Sequence, residues 1–140
     1  MFNLWGRIMK YEIDFLGNNS VSQDSDSILF RYMPEGTETF IHILYDGGVK
    51  AFGETIEQHL IAYYNTEKLD YVIVSHPDND HTSGIIELLG KIEIGKIYMN
   101  CPWNYIEDLW PYVDDGRKTK ESLKQELYSS YPNVKEIEDL

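Results

Sequence analysis

The stretch that decides this chain is Ser75-His76-Pro77-Asp78-Asn79-Asp80-His81-Thr82-Ser83-Gly84. Two of the four histidines in the sequence and two aspartates fall within six residues, directly behind the apolar run Tyr71-Val72-Ile73-Val74. A buried strand that empties into such a loop delivers imidazole and carboxylate groups together at one strand end. Neutral imidazole and carboxylate suit zinc, manganese and iron, so the loop reads as a divalent-metal site. In an extended loop His76, Asp78 and Asp80 project to the same side, and His81 arrives from the next turn. The plainer alternative is a polar loop capping a helix, with Asp80 or Thr82 as N-cap before Ile85-Ile86-Glu87-Leu88-Leu89. A cap needs one such residue; this loop offers four candidate ligands.

The rest of the chain sets bounds on that reading. At 140 residues one domain is the default, and 42% hydrophobic content with 14% aromatic is ample for a core. No window approaches 18 consecutive apolar residues, so no membrane span is expected. The opening Met1 to Lys10 is apolar but too short and interrupted for a secretory signal. Cys101 is the single cysteine, which excludes an intramolecular disulfide and makes a reducing cytoplasm the expected compartment. It reads as a small buried apolar residue, with metal ligation as the alternative. The net charge of −12 repels phosphate backbones, which argues against nucleic-acid binding through bulk electrostatics. Acidity does not exclude a phosphodiester substrate, because bound metal ions supply positive charge locally.

Periodicity places the loop in a sheet. Residues 10–17 alternate apolar and polar side chains, a half-buried strand. A second strand at about 26–33 ends at Pro34-Glu35-Gly36, and a third spans 39–45. Asp46-Gly47-Gly48 ends the third strand where positive φ is needed. Asp46 is either a residue that orients the metal loop by hydrogen bonding or an ordinary Asx-turn residue. Residues 53–64 read as a helix with Ile56, Leu60, Tyr63 and Tyr64 on one face and a solvent-exposed His59 beside them. His42 reads as a surface or packed imidazole. A strand at 71–75, a helix at 83–89 stopped by Gly90, and a strand at 94–100 follow. Strand, helix, strand in this order implies parallel pairing, so the sheet should begin as an antiparallel meander and continue in parallel. Trp103 to Trp110 reads as an aromatic packing segment. Helical patterns resume from Arg117, with Leu123 and Leu127 on one face and Pro132-Asn133 before a last helix.

His76-x-Asp78-x-Asp80-His81, after an apolar strand and before Ser83-Gly84, resembles the signature loop of the metallo-β-lactamase fold hydrolases. Most of these carry a second histidine where this chain has Asp78. The Pro77-Asp78 variant is similar to the hydrolase domain of the competence DNA-uptake channel protein ComEC and its soluble relatives. Asp14-Phe15-Leu16-Gly17 with Asp26-Ser27-Ile28-Leu29-Phe30-Arg31 is similar to that group's opening hairpin, and Leu44-Tyr45-Asp46-Gly47-Gly48 to its second landmark. The resemblance implies an αβ/βα sandwich of two similar halves, of which residues 1–140 supply the first. In the family a later histidine, a bridging aspartate and a final histidine complete the site, and no histidine follows His81 here.

What the resemblance implies for chemistry is a metal-dependent hydrolase of phosphodiester or nucleic-acid type. One ion would be held by His76 and Asp78 and a second by Asp80 and His81, with Asp80 also orienting the attacking hydroxide. The ions would be zinc or manganese, and a carboxylate at Asp78 moves the preference toward manganese. The missing ligands would come from the chain's own second half, a homo-oligomer or another polypeptide, and the substrate would be a nucleic acid or nucleotide. The alternatives are a catalytically inactive interaction subunit of the same fold and the Asp-His-His class of phosphoesterases. A half-sandwich also implies an uncovered sheet face, with Ile73, Ile97 and Met99 against water.

Overall fold

The computed structural model describes residues 10–17, 26–113 and 116–138. Alternating side chains form β1 (Lys10–Gly17) and β2 (Asp26–Met33), which pair antiparallel, and β3 (Ile41–Tyr45) pairs antiparallel with β2. After a helical crossover, β4 (Lys68–Val74) pairs parallel with β3, and after another, β5 (Glu93–Met99) pairs parallel with β4. The five strands therefore lie in chain order in one mixed sheet. This is the meander followed by parallel strands that the periodicity implies.

Helix α1 (Lys50–His59) continues into a π-helical turn over Leu60–Tyr64, and α2 is Asn79–Leu88. Both pack on one face of the sheet, where Leu29, Leu44, Val72 and Val74 meet Ile56, Leu60, Ile85 and Leu88 in the core. The π turn has a sequence cause. Phe52, Ile56, Leu60 and Tyr64 recur at strict intervals of four, and all are buried. In a 3.6-residue helix such a stripe drifts by about 40° per step, and a wider turn brings it back. Tyr63, expected on that stripe, is exposed instead. Asn65 closes the turn with φ 53°, its N–H donating to the Leu60 carbonyl.

The remaining chain forms a short 3-10 turn (Pro102–Asn104), α3 (Ile106–Val113), α4 (Lys120–Ser129) and α5 (Val134–Glu138). Trp103 is buried in contact with Tyr128 and Tyr131, ring centroids 5.4 and 5.9 Å away, whereas Tyr105 in the same segment is exposed. Val134 and Ile137 are buried, and the Asn133 amide donates to the hydroxyls of Thr82 (2.9 Å) and Ser83 (3.1 Å), tying α5 to α2.

The other face of the sheet is different. Phe15, Ile28, Tyr45, Ile73 and Tyr98 are in register across all five strands, on the side opposite the adjoining row Leu29, Leu44 and Val72. Of the side chains expected against water, Ile73 lies on this open side, whereas Ile97 and Met99 pack on the helix-covered core. The reason is register: Ile73 pairs with Tyr98 and Ile97 with Val72, so Ile73 and Ile97 face opposite ways.

Candidate metal centre

The loop sits where two parallel strands end side by side. Asp46 follows β3 with a left-handed backbone, φ 55°, and its N–H donates to the Ile73 carbonyl. The residue is 4% exposed, and its carboxylate collects three partners. Oδ1 accepts from the Ser75 N–H at 2.8 Å, and Oδ2 accepts from the Ser75 hydroxyl at 2.7 Å and lies 2.9 Å from His81 Nδ1. Asp46 thus reaches across to the histidine loop. Ser75 is the residue that sequence reasoning passed over, and its only signal was its place between the apolar strand and His76.

Two glycines let the turn and the helix meet. The Gly47 N–H donates to the His81 carbonyl at 2.8 Å and the Gly84 N–H to the Gly48 carbonyl at 3.0 Å. A methyl group on Gly84 would overlap the Gly47 carbonyl, and one on Gly47 would lie 2.5 Å from Ile85 Cγ1. The close approach sets where α2 starts and therefore where His81 stands.

Helix α2 begins at Asn79, four residues earlier than expected. Asp78 takes the N-cap position in place of Asp80 or Thr82; its carbonyl accepts from the N–H groups of His81 and Thr82, while its side chain makes no cap bond. So the extended geometry that aligned His76, Asp78 and Asp80 ends at Asp78, and Asp80 and His81 belong to the first helical turn. Among the described residues no three or more histidine, cysteine, aspartate or glutamate side chains form a ready metal cage. The four expected ligands stand as two pairs: His76 Nε2 is 3.3 Å from Asp78 Oδ2, and His81 Nε2 is 3.6 Å from Asp80 Oδ2. The imidazole rings lie 3.9 Å apart at their centroids, so the pairs adjoin.

Hydrogen bonding decides which nitrogen each ring presents. The Ser75 hydroxyl spends its proton on Asp46, so its oxygen accepts from Nδ1–H of His76 at 2.9 Å. His81 donates Nδ1–H to Asp46. In neutral imidazoles both Nε2 lone pairs are then free, and each faces a carboxylate. A proton on Nε2 or a bound cation would close each pair. Two ligands about 2.1 Å from a tetrahedral ion stand about 3.4 Å apart, so each pair has the span of one edge of a coordination shell. The donor set fits a divalent metal; each pair alone supplies two ligands.

Around the loop, Asp80 lines an open groove of about 460 Å³ with Val49, Lys50, Ala51, Asn79 and Ser83. The remaining histidines are elsewhere. His42 packs against Tyr64 and Phe40, with Nδ1 3.8 Å from Asp70. His59, expected in solvent, is half-buried with Nε2 2.9 Å from Asp14 Oδ2, because β1 folds over the end of α1. Cys101 lies half-buried near the Met99 carbonyl, and burial pushes its thiol up. No described helix is long and apolar enough to cross a membrane.

Over 67 residues the chain is 28% identical to an anaerobic nitric oxide reductase flavorubredoxin from Pectobacterium atrosepticum, a match covering 48% of this chain and 13% of that protein. Residues 41–139, from the first residue of β3 through α5, match the family described as the Metallo-beta-lactamase superfamily. Its members are generally metal-dependent hydrolases and typically bind divalent ions, often zinc. That match spans more than half of the chain, from β3 through the histidine–aspartate loop to α5, and the chain belongs to the metallo-beta-lactamase superfamily.

Proposed function

We propose that this chain carries the metal-binding loop of a metal-dependent phosphodiester hydrolase whose site is completed by a further polypeptide. The observation that carries the reading is the pair of histidine–carboxylate edges, both with Nε2 unspent. His76 and Asp78 would hold one divalent ion, zinc or manganese, and Asp80 and His81 a second. Bound metal supplies a Lewis acid and a water acidic enough to attack at neutral pH. The chain's own groups do the positioning. Asp46 and Ser75 fix both rings in one tautomer and orientation. Asp80, half-exposed on the groove, accepts a hydrogen bond from the attacking water and aims its oxygen. Lys50 is the one cationic side chain lining that groove and meets an anionic substrate there.

The resemblance of Pro77-Asp78 to the competence, ComEC-like group tilts the substrate toward a phosphodiester of nucleic-acid or nucleotide type. The further ligands come from a continuation of the chain, a second copy or another protein. The absence of a third ligand within reach among the described residues favours a second reading, an interaction subunit of the same fold that no longer catalyses.

Metal titration and a phosphodiesterase assay separate these. The chain alone should bind zinc or manganese weakly, lose that binding in His76→Ala, and show no measurable cleavage. Manganese-dependent cleavage of a model phosphodiester by the isolated chain, abolished by Asp80→Ala, would overturn the incomplete site. Failure to bind either metal would leave the interaction subunit.

A further inference from the structure

Two hydroxyls beside the metal loop share one amide, and following their protons leaves one without a partner. Asn133, just before α5, donates from Nδ2 to Thr82 Oγ1 at 2.9 Å and to Ser83 Oγ at 3.1 Å. An amide nitrogen carries two protons, so both are engaged and both hydroxyl oxygens act as acceptors. Each hydroxyl must then place its own proton elsewhere. Thr82, fully buried, places it on the Asp78 carbonyl at 2.9 Å, one turn back along the chain. Ser130 does the same with the Glu126 carbonyl at 2.8 Å, the usual recourse of a hydroxyl within a helix. Ser83 differs: among the described residues no acceptor takes its proton.

Ser83 lines the same groove of about 460 Å³ as Asp80 and Lys50. It stands three residues after Asp80 on α2, a spacing that puts both side chains on one side of the helix. The groove therefore combines a carboxylate that can accept, a hydroxyl whose proton is free to donate, and an ammonium group from α1. We propose that Ser83 is a substrate-binding residue that donates to a non-bridging oxygen of the phosphodiester, with Asn133 as the residue that turns its proton toward the groove. The inference rests on the hydrolase reading above and adds the group that holds the phosphoryl oxygen while Asp80 aims the water. Donor chemistry selects the ligand. A free hydroxyl proton calls for an acceptor, and the non-bridging oxygens of a phosphodiester are charged acceptors, which make the stronger hydrogen bonds. Lys50 offsets the negative charge that they bring into an acidic chain.

The test is ligand binding by the intact 140-residue chain, followed through backbone amide resonances, with zinc added first and dimethyl phosphate second. The phosphodiester should shift the amides of Lys50, Asp80 and Ser83. Ser83→Ala should keep the parent's zinc affinity and unfolding midpoint and weaken dimethyl phosphate about 10-fold, the worth of one hydrogen bond to a charged group. Ser83→Thr keeps the donor and should bind dimethyl phosphate like the parent. Asn133→Asp replaces the donor by an acceptor, draws the Ser83 proton away from the groove, and should weaken the phosphodiester similarly with zinc affinity unchanged. The added charge also repels an anion, so the same change is made in the Ser83→Ala protein. Acting through Ser83 it costs nothing more there; acting through charge it costs as much again. A parent chain that binds no zinc would overturn the hydrolase reading and this inference with it. Zinc bound but dimethyl phosphate not, or held equally well by Ser83→Ala, would overturn this inference alone. So would an Asn133→Asp loss that is undiminished in the Ser83→Ala protein.

Discussion

Two histidine–carboxylate clusters stand on this one sheet, and they differ in what their lone pairs are doing. In the loop after β4, Nδ1 of His76 and of His81 are held by Ser75 and Asp46, while both Nε2 atoms face half-exposed carboxylates. Where the π turn meets β1 and β2, every group is occupied by another. Asp14 Oδ2 receives the Tyr64 hydroxyl at 2.8 Å and His59 Nε2 at 2.9 Å. Arg31 binds Glu12 through Nε at 2.8 Å and lies over the Tyr64 ring, 4.1 Å from its centroid. If the first cluster takes a cation, as proposed above, the second offers no such opening, because its carboxylate already holds a phenol and an imidazole. Residue type alone does not distinguish the two clusters. What each imidazole nitrogen meets does.

The comparison can be broken from three directions, the largest effect first. Gly84→Ala should be the most damaging single methyl, because the new Cβ collides with the Gly47 backbone rather than with a movable side chain. We expect a loss of about 3 kcal/mol or more in denaturant unfolding, and displacement of His81 with it. Parental stability in the Gly84→Ala protein would show that the turn and the helix are not locked together. Asp46→Ala comes next. It strands the Ser75 N–H and the His81 Nδ1–H beneath the loop, which should cost about 2–3 kcal/mol and lower metal affinity about 10- to 100-fold. Unchanged metal affinity would mean that Asp46 serves the turn alone.

The smallest effect belongs to the closed cluster and is a matter of pH. Burial alone would raise the Asp14 carboxyl, but hydrogen bonds from Tyr64 and His59 outweigh it and hold it below its ordinary value. A carboxyl depressed in the folded state stabilises at neutral pH and loses that contribution as pH falls from about 4 through its folded value. Burial likewise pushes His42 down, so the folded state holds it neutral and stability begins to fall below about pH 6.5. Asp14→Asn should therefore cost about 1 kcal/mol at pH 7 and flatten the acid limb below about pH 4, leaving the limb near pH 6.5 and the metal titration untouched. Loss of metal binding in Asp14→Asn would erase the distinction between the clusters.

How much of this was legible in the sequence follows from the range of each interaction. The strands were, because period-two alternation and the run Tyr71 to Val74 are local signals. The place of the loop at a strand end was, because the apolar run and the polar residues that follow it are adjacent in sequence. The helix start at Asn79 was not. It is set by the close contact of Gly47 with Gly84, far apart in sequence, and neither glycine announces its neighbour. His59 looked like a surface residue because Asp14, 45 positions away, is its partner. Ile97 and Met99 were assigned to the wrong face because an apolar residue in a strand does not say which side of the sheet holds the helices; register does.

The widened turn at Leu60–Tyr64 has a consequence for how the chain tolerates change in length. A π turn is an α-helix that has accommodated an extra residue. Deleting one position there would let the helix revert to regular winding, with the residues after the turn kept near the same side of the axis. Tyr64 would stay by Asp14 with Arg31 over its ring, so the edge strand β1 would remain fastened to the helical layer. A residue removed from α1 itself has no such slack and would turn the buried stripe by about 100°. Insertions and deletions should thus be read asymmetrically along this chain: a deletion is absorbed at the π turn and disruptive one turn earlier.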